Sequence, residues 1–376
     1  MDTKKYTMTL IPVGNFFFGQ EDIHVSSRRD TADDTFFYLS ESAKMPQQTA
    51  LLGMLRFALL STAGSDVFFG NKIVSSEKAA SLIGPKSFTK NVPGDFGRIS
   101  SIGPCGLRIR YAQESRWFPL QFSPMDWELN ASFEQQNGTR VLVNDEPTSK
   151  LVRFAGYKAK KGLSNKLLVR RNGRVQEYDH DDIFKAVSQV GIDRDIQSGR
   201  VQENAYYKQK FYRFAVGKDR ETFEVGFAFD IELDASANVE PLQGLSVQLG
   251  AEDSRFIIDI HETAESFVPV YAEDGVEKDL CKVTLLSDSY LTPAEISLSV
   301  FNISDIRPFR SLSTSIGTAN YYNRKRGGDG ISKSERSYLY KQGSVFFFDD
   351  PGRRDEFIKK LKSHREFYKI GFNYYK

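Results

Sequence analysis

Residues Phe223-Glu224-Val225-Gly226-Phe227-Ala228-Phe229-Asp230-Ile231 place a large apolar side chain at every second position. Successive side chains leave a strand on opposite faces, so this period demands a β-strand with one face against a core. A helix would scatter the same rings around its circumference. Leu107-Arg108-Ile109-Arg110-Tyr111 repeats the period and puts two arginines on one face. Tyr6–Ile11 reads as another strand, ended by Pro12. Further strands are expected at 245–249, 256–260, 281–286 and 345–348. The chain holds 30 Phe and 17 Tyr, residues that suit pleated, half-buried surfaces.

Helices are fewer. Pro46 stands where a helix can open, because its missing N–H costs nothing in the first turn. Leu51, Leu52, Leu55, Ala58, Leu59 and Thr62 follow at helical spacing, and Gly64 ends the run. A second helix is expected over Asp355–Ser363. Between 134 and 213 the apolar pattern thins and the turn pairs Asn137-Gly138 and Asn172-Gly173 appear. That stretch reads as a basic insertion of hairpins and loops, with one short helix near Asp182–Val190. The fold class is α+β. A length of 376 residues leaves room for two domains, read as 1–265 with the insertion at about 134–213, and 266–376.

The formal net charge is +2. Taken alone it excludes a strongly basic nucleic-acid binder, but it hides segregation along the chain. Residues 150–213 hold 15 basic and 7 acidic side chains, whereas 217–306 hold 5 and 19. The basic side dominates again over 307–341, at 8 against 2, and over 353–376, at 8 against 3. Charge runs are usually solvated surface, yet this split suits a molecule with one face for a polyanion and another for protein. Two cysteines, Cys105 and Cys281, fit a reducing compartment. Pro12, Gly14 and Asn15 interrupt the apolar stretch after Lys4 and Lys5, which argues against a secretory leader. No apolar run reaches membrane-spanning length. A soluble, cytoplasmic protein is expected, with no membrane partner.

Catalytic signatures are missing. The sequence carries no Walker loop, no dinucleotide glycine fingerprint and no Gly-x-Ser-x-Gly elbow. His261-Glu262 is followed by Glu265 where a zincin helix needs histidine, and His180-Asp181 lacks further metal ligands in a chain with 4 His. His24, in a polar stretch, is the one candidate base for a metal-independent ribonuclease. The reading is a binding protein, not an enzyme, with no metal and no cofactor of its own.

Three constellations suit RNA. Gln47, Gln48 and Thr49 sit at a helix start, where free N–H groups and the helix dipole favour phosphate. Gly191-Ile192-Asp193-Arg194 leads through Arg200 to Tyr206-Tyr207-Lys208-Gln209-Lys210, aromatics interleaved with cations. Rings stack bases while cations track phosphates. Arg324-Lys325-Arg326-Gly327-Gly328-Asp329-Gly330 joins three cations to a glycine loop able to cradle a phosphate.

Taken in order, these motifs resemble the RAMP superfamily of CRISPR proteins, and within it the third subunit of the type III-B (Cmr) effector complex. The match begins at Phe16-Phe17-Phe18-Gly19 and continues through Met45–Arg56, Gly191–Arg194, Tyr206-Tyr207 and Leu249-Gly250-Ala251-Glu252. It ends with Leu291-Thr292-Pro293-Ala294 and Gly343-Ser344-Val345-Phe346-Phe347. This sequence departs from the pattern in keeping only Pro46 of the prolines, in Ala251, and in Gly327-Gly328-Asp329 without a Trp. The resemblance implies two ferredoxin-like (RRM-like) domains packed side by side. It implies a non-catalytic subunit that holds the crRNA 5′ handle and docks on the large polymerase/cyclase subunit, with a nucleotide pocket near that interface. Neighbouring RAMP subunits, and target RNA indirectly, are further implied partners. On this reading Arg56, Arg194, Arg200, Arg324, Lys325 and Arg326 contact phosphates and Tyr206 and Tyr207 stack bases. Gly250, Gly328 and Ser344 admit RNA to the backbone. The alternatives are the equivalent type III-A (Csm) subunit and a RAMP endoribonuclease with His24 as base.

Overall fold

The computed structural model describes residues 2–19, 24–27, 36–90, 92, 94–127, 131–136, 139–144, 166–194, 198, 201–219, 221–267, 281–316 and 331–376. Its largest sheet is antiparallel and grows around the sequence's most regular alternation. Strand Glu221–Asp234 pairs on one side with Thr3–Pro12 and on the other with Gly106–Tyr111. The order across the sheet is Arg174–Asp179, Lys166–Arg171, Phe118–Phe122, Gly106–Tyr111, Glu221–Asp234, Thr3–Pro12, Arg255–Glu262, Ser246–Gln248. Phe223, Val225, Phe227, Phe229 and Ile231 are all buried, as the two-residue period requires.

The Gln48–Ser61 helix lays Leu51, Leu52, Leu55, Ala58 and Leu59 into the same core as Met8, Leu10 and Phe227. Rings interlock there: Phe16 meets Phe227 edge-on at 5.3 Å between centroids, and Phe214 meets Phe227 at 5.0 Å. Such contacts add to simple area burial. Asp230 sits buried on the strand with its charge compensated: it accepts from Thr7 Oγ1 at 2.8 Å and from the Phe267 N–H at 2.7 Å, and Lys5 Nζ lies 3.2 Å away.

The stretch read as a basic insertion contributes to this core. Lys166–Arg171 and Arg174–Asp179 extend the main sheet, and Leu167, Val169, Tyr178 and Ile183 are buried in it. The helix expected near Asp182–Val190 is corrected. It spans only His180–Ile183, opened by reciprocal bonds between Asp179 and Asp182, and Phe184–Arg194 is a strand. Its backbone finds partners along Val201–Phe214, a pairing between distant residues that local helix propensity cannot match. That long hairpin continues into Phe36–Glu41, which runs parallel to it, and then His24–Ser27.

A smaller sheet of Lys282–Thr284, Val345–Phe347 and Phe301–Ile303 packs Phe346 and Phe348 against Phe357 and Leu361 of the Pro351–Ser363 helix. Leu291-Thr292-Pro293-Ala294 opens the short helix Pro293–Ile296, with Thr292 and Glu295 capping each other. Among the described residues no helix is long and apolar enough to cross a membrane.

Removing a ring from this core is expected to be costly. Phe227→Ala should lose about 3–5 kcal/mol of stability, measured by denaturant unfolding followed by circular dichroism. A loss below ~1 kcal/mol would mean that the ring cluster collapses freely around the gap.

Candidate nucleic-acid interface

Residues 41–49 leave the edge of the parallel strand pair and turn into the first long helix. The turn is pinned to Phe18, whose N–H donates to Ser42 Oγ at 2.8 Å and whose carbonyl accepts from the Ala43 N–H at 2.8 Å. Pro46 is buried, one residue ahead of the cap Gln47. Gln47 has extended backbone (φ −75°, ψ 139°), its side chain does not cap the helix, and no acid lies in the first turn. The helix N-terminus therefore keeps its positive end and its unpaired N–H groups. Thr49 Oγ1 donates to Gln47 Oε1 at 2.9 Å, ordering the rim.

This turn forms one wall of a continuous depression whose other wall is 306–312 and 341–342. One part is a groove of about 420 Å³ bounded by Gln47, Thr49, Arg307, Arg310 and Lys333. No carboxylate lines it among the described residues. It adjoins a cleft of about 610 Å³ that shares Ala43, Met45, Arg307 and Pro308 with it.

The cleft is electrostatically more balanced. Arg307 pairs with Asp288, and Lys341 Nζ lies 2.6 Å from Asp305. Glu41 accepts from Lys210 Nζ at 2.7 Å and Tyr212 Oη at 2.8 Å. Burial pushes the Glu41 carboxyl up, but these two bonds and the Lys210 charge outweigh it and hold it below the usual range. Lys44 makes no ion pair with a carboxylate among the described residues. Its ammonium lies 3.4 Å from His180 Nδ1 and 5.7 Å from the ring centres of Phe184 and Tyr212. Burial lowers the Lys44 pKa. Burial, reinforced by the Lys44 charge, pushes His180 down to about 4, so it is neutral near pH 7.

The structure brings several predicted site residues together here. Gln47, Gln48 and Thr49 line the depression, and strand Val201–Phe214 delivers Lys210 and Tyr212 to its edge. Tyr207, further along that strand, is exposed. Its ring lies over Gly191, the glycine of the Gly-Ile-Asp-Arg motif. A Cβ there would sit 1.9 Å from the ring. The two ends of this constellation thus form one unit. Asp193 and Arg194 end the strand opposite, with Arg194 level with Val201, and Tyr206 pairs with Ile192. Arg200, Arg324, Lys325, Arg326 and Gly328 lie outside the described residues.

Other candidates serve the fold itself. Arg56 is buried, and its Nε and a terminal nitrogen donate to the carbonyls of Ile83 at 2.9 Å and Gly84 at 3.1 Å. These bonds hold the C-terminus of the Ser76–Ile83 helix, so Arg56 is withdrawn from any phosphate. Ser344 is fully buried, its hydroxyl donating to the Lys341 carbonyl at 2.7 Å. Gly250 has φ +93° and leaves room for the Phe17 carbonyl, which a Cβ would approach to 2.4 Å. Gln48 is buried and anchors the helix start by donating to the Gly103 carbonyl at 2.9 Å. Arg307, Arg310, Lys333 and Lys341 were not singled out individually from sequence. Only the net +6 of 307–341 signalled some of them.

The chain is a CRISPR-associated protein. More particularly, a family model described as "CRISPR-associated protein (Cas_Cmr3)" matches residues 37–375, and the chain belongs to that family. No curated protein matches the chain. A chain in the cryo-EM structure of the type III-B Cmr-beta complex bound to cognate target RNA is 14% identical, with a TM-score of 0.46, over 99% of this chain and 96% of that one. The same complex bound to target RNA and AMPPnP gives 14% and 0.44, over 98% and 95%. A chain of the Csm3–Csm4 subcomplex of the type III-A complex gives 9% and 0.37, over 91% and 92%.

His180 gives the site a pH signature. Its folded pKa, about 4, lies below the ordinary value of 6.5. At pH 7 it is neutral folded or unfolded and contributes no pH dependence. Between pH 6.5 and about 4 the unfolded chain binds a proton that the folded chain refuses, so stability falls as pH falls. The full loss is about 3 kcal/mol. His180→Gln should flatten that part of the stability–pH curve, measured by urea unfolding. Superimposable curves for variant and wild type would contradict the burial of a neutral ring.

Proposed function

We propose that this chain is the non-catalytic RNA-binding subunit of a type III-B effector complex, holding the 5′ handle of crRNA in antiviral defence in the cytoplasm. It works beside the large polymerase/cyclase subunit and neighbouring RAMP subunits, and meets target RNA only through them. Its two halves are read as ferredoxin-like domains, the first built on the large sheet and the second on the small sheet with its Pro351–Ser363 helix. The observation that carries this reading is the groove beside the helix start, which no carboxylate lines among the described residues. Arg307, Arg310 and Lys333 face an uncapped helix N-terminus across it, so phosphates meet positive potential from both walls. Tyr207 adds an exposed ring on the adjoining hairpin, where a base can stack. The acidic 217–306 span would face protein.

The reading separates charge from stacking. Lys333→Gln should weaken binding of the full chain to single-stranded RNA and make the log–log salt slope shallower by about 0.7. Tyr207→Ala should weaken binding by about 1–3 kcal/mol and leave the slope unchanged. Gly191→Val should mimic it, because the new side chain displaces the ring. Fluorescence anisotropy across a salt series checks all three. Wild-type affinity and slope in every variant would count against RNA in this groove.

A further inference from the structure

The Gln48–Ser61 helix turns one face to the core and leaves a strip of the other bare. Gly53, Phe57 and Ser61 follow at four-residue spacing and are exposed, so they share its outer side. None of the three is charged. Arg56, the only charged residue of the helix, is buried and bonded to the Ile83 and Gly84 carbonyls. Surface helices turn charged and polar residues outward, whereas a helix that is apolar on every side belongs in an interior.

The apolar surface continues onto the hairpin that follows. The Phe57 ring, 48% exposed, meets Phe68 edge-on at 5.9 Å between centroids. Phe68 packs against the main core and stands opposite exposed Ile73 in the hairpin. Phe69 and Val74 of the same hairpin are 70% and 60% exposed. The hairpin is held firmly. Gly70 and Asn71 at its tip both have left-handed backbone (φ 57° and 60°), which closes a tight two-residue turn. The Phe68 N–H donates to the Gly64 carbonyl at 3.1 Å, and the Val74 N–H to the Val67 carbonyl at 2.9 Å. Clustered apolar side chains on a preorganised support mark an interaction surface.

The chemistry of this face selects its occupant. A polyanion finds no exposed cation on the strip, and beside it Lys78 is already paired with Asp66. RNA is therefore disfavoured here, although the first turn of the same helix borders the cationic groove. The helix backbone is bonded within itself and offers no edge to an added strand, so side-chain packing is what remains. A Cβ built on Gly53 meets nothing within 4 Å. The strip thus has a notch where a second helix can come close, with Phe57 as a knob one turn further on.

We infer that this face docks one helix of a neighbouring protein subunit, through an uncharged apolar side that seats over Gly53 and packs against Phe57. The inference rests on the reading of the chain as one subunit of an assembly, and not on RNA in the groove.

The test uses the assembly itself, made by co-expressing the chain with the other subunits of its complex and crRNA, and purified through a tag on another subunit. Irradiating the complex that carries Phe57→p-benzoylphenylalanine should give adducts, mapped by mass spectrometry, within one helical segment of a single neighbouring subunit. Phe57→Glu and Gly53→Gln should each cut the share of the chain retained in the complex about tenfold. Both free variants should bind single-stranded RNA as the wild type does. Gly53→Gln should not lower the Tm of the free chain, because glycine is a poor helix former. Circular dichroism confirms that both variants fold. Adducts on RNA, no protein adduct in an assembled complex, or wild-type retention of both variants overturns the inference alone. Absence of the wild-type chain from the purified complex overturns the assembly reading and the inference together.

Discussion

Three consecutive residues hold the site together. Phe16 exchanges backbone hydrogen bonds with Tyr212 at 2.7 and 3.1 Å. Phe17 donates to Ser254 Oγ at 2.8 Å and accepts from the Ala251 N–H at 2.9 Å. Phe18 is bonded to Ser42 and Ala43. The segment thus ties the long hairpin, the Gly250 turn and the entry to the first helix to the end of strand Thr3–Pro12. The rings of Phe16 and Phe18 are buried against Phe256, so the tie is apolar as well as hydrogen-bonded. Gly250 is glycine because the Phe17 carbonyl occupies the place of its Cβ.

From that tie the division of labour in the depression follows. The helix start and the strand bearing Lys210 and Tyr212 belong to the half built on the large sheet, whereas Arg307, Arg310, Lys333 and Lys341 come from later in the chain. Among the described residues no carboxylate lines the groove, whereas Glu41, Asp288 and Asp305 line the adjoining cleft beside its cations. A polyanion is therefore favoured more over the groove than over the cleft.

Much of the fold was legible where the signal is local. The alternation of 223–231 fixed a central strand, and the spacing of Leu51, Leu55 and Leu59 fixed a helix, because both patterns depend only on near neighbours. Phe184–Val190 misled for the opposite reason. Lys185, Ala186 and Gln189 tolerate a helix, and only the distant 201–214 partner makes a strand of them. The site was partly legible. Gly191 and Tyr207 were both singled out, but nothing local said that one lies beneath the other. Arg56 stood out as a cation, yet it falls four residues after Leu52 and three before Leu59, on the buried stripe. His180 was set aside as an incomplete metal motif, and its partner Lys44 lies 136 residues away.

A single strand of RNA is proposed to lie along the depression between 41–49 and 306–312. Ultraviolet cross-linking of the full chain to single-stranded RNA, followed by mass spectrometry of the linked peptides, tests it most directly. Adducts should concentrate in peptides containing 41–49, 205–212 and 306–312, and spare the acidic surface of 221–262. Adducts on that acidic surface with none along the depression would contradict it.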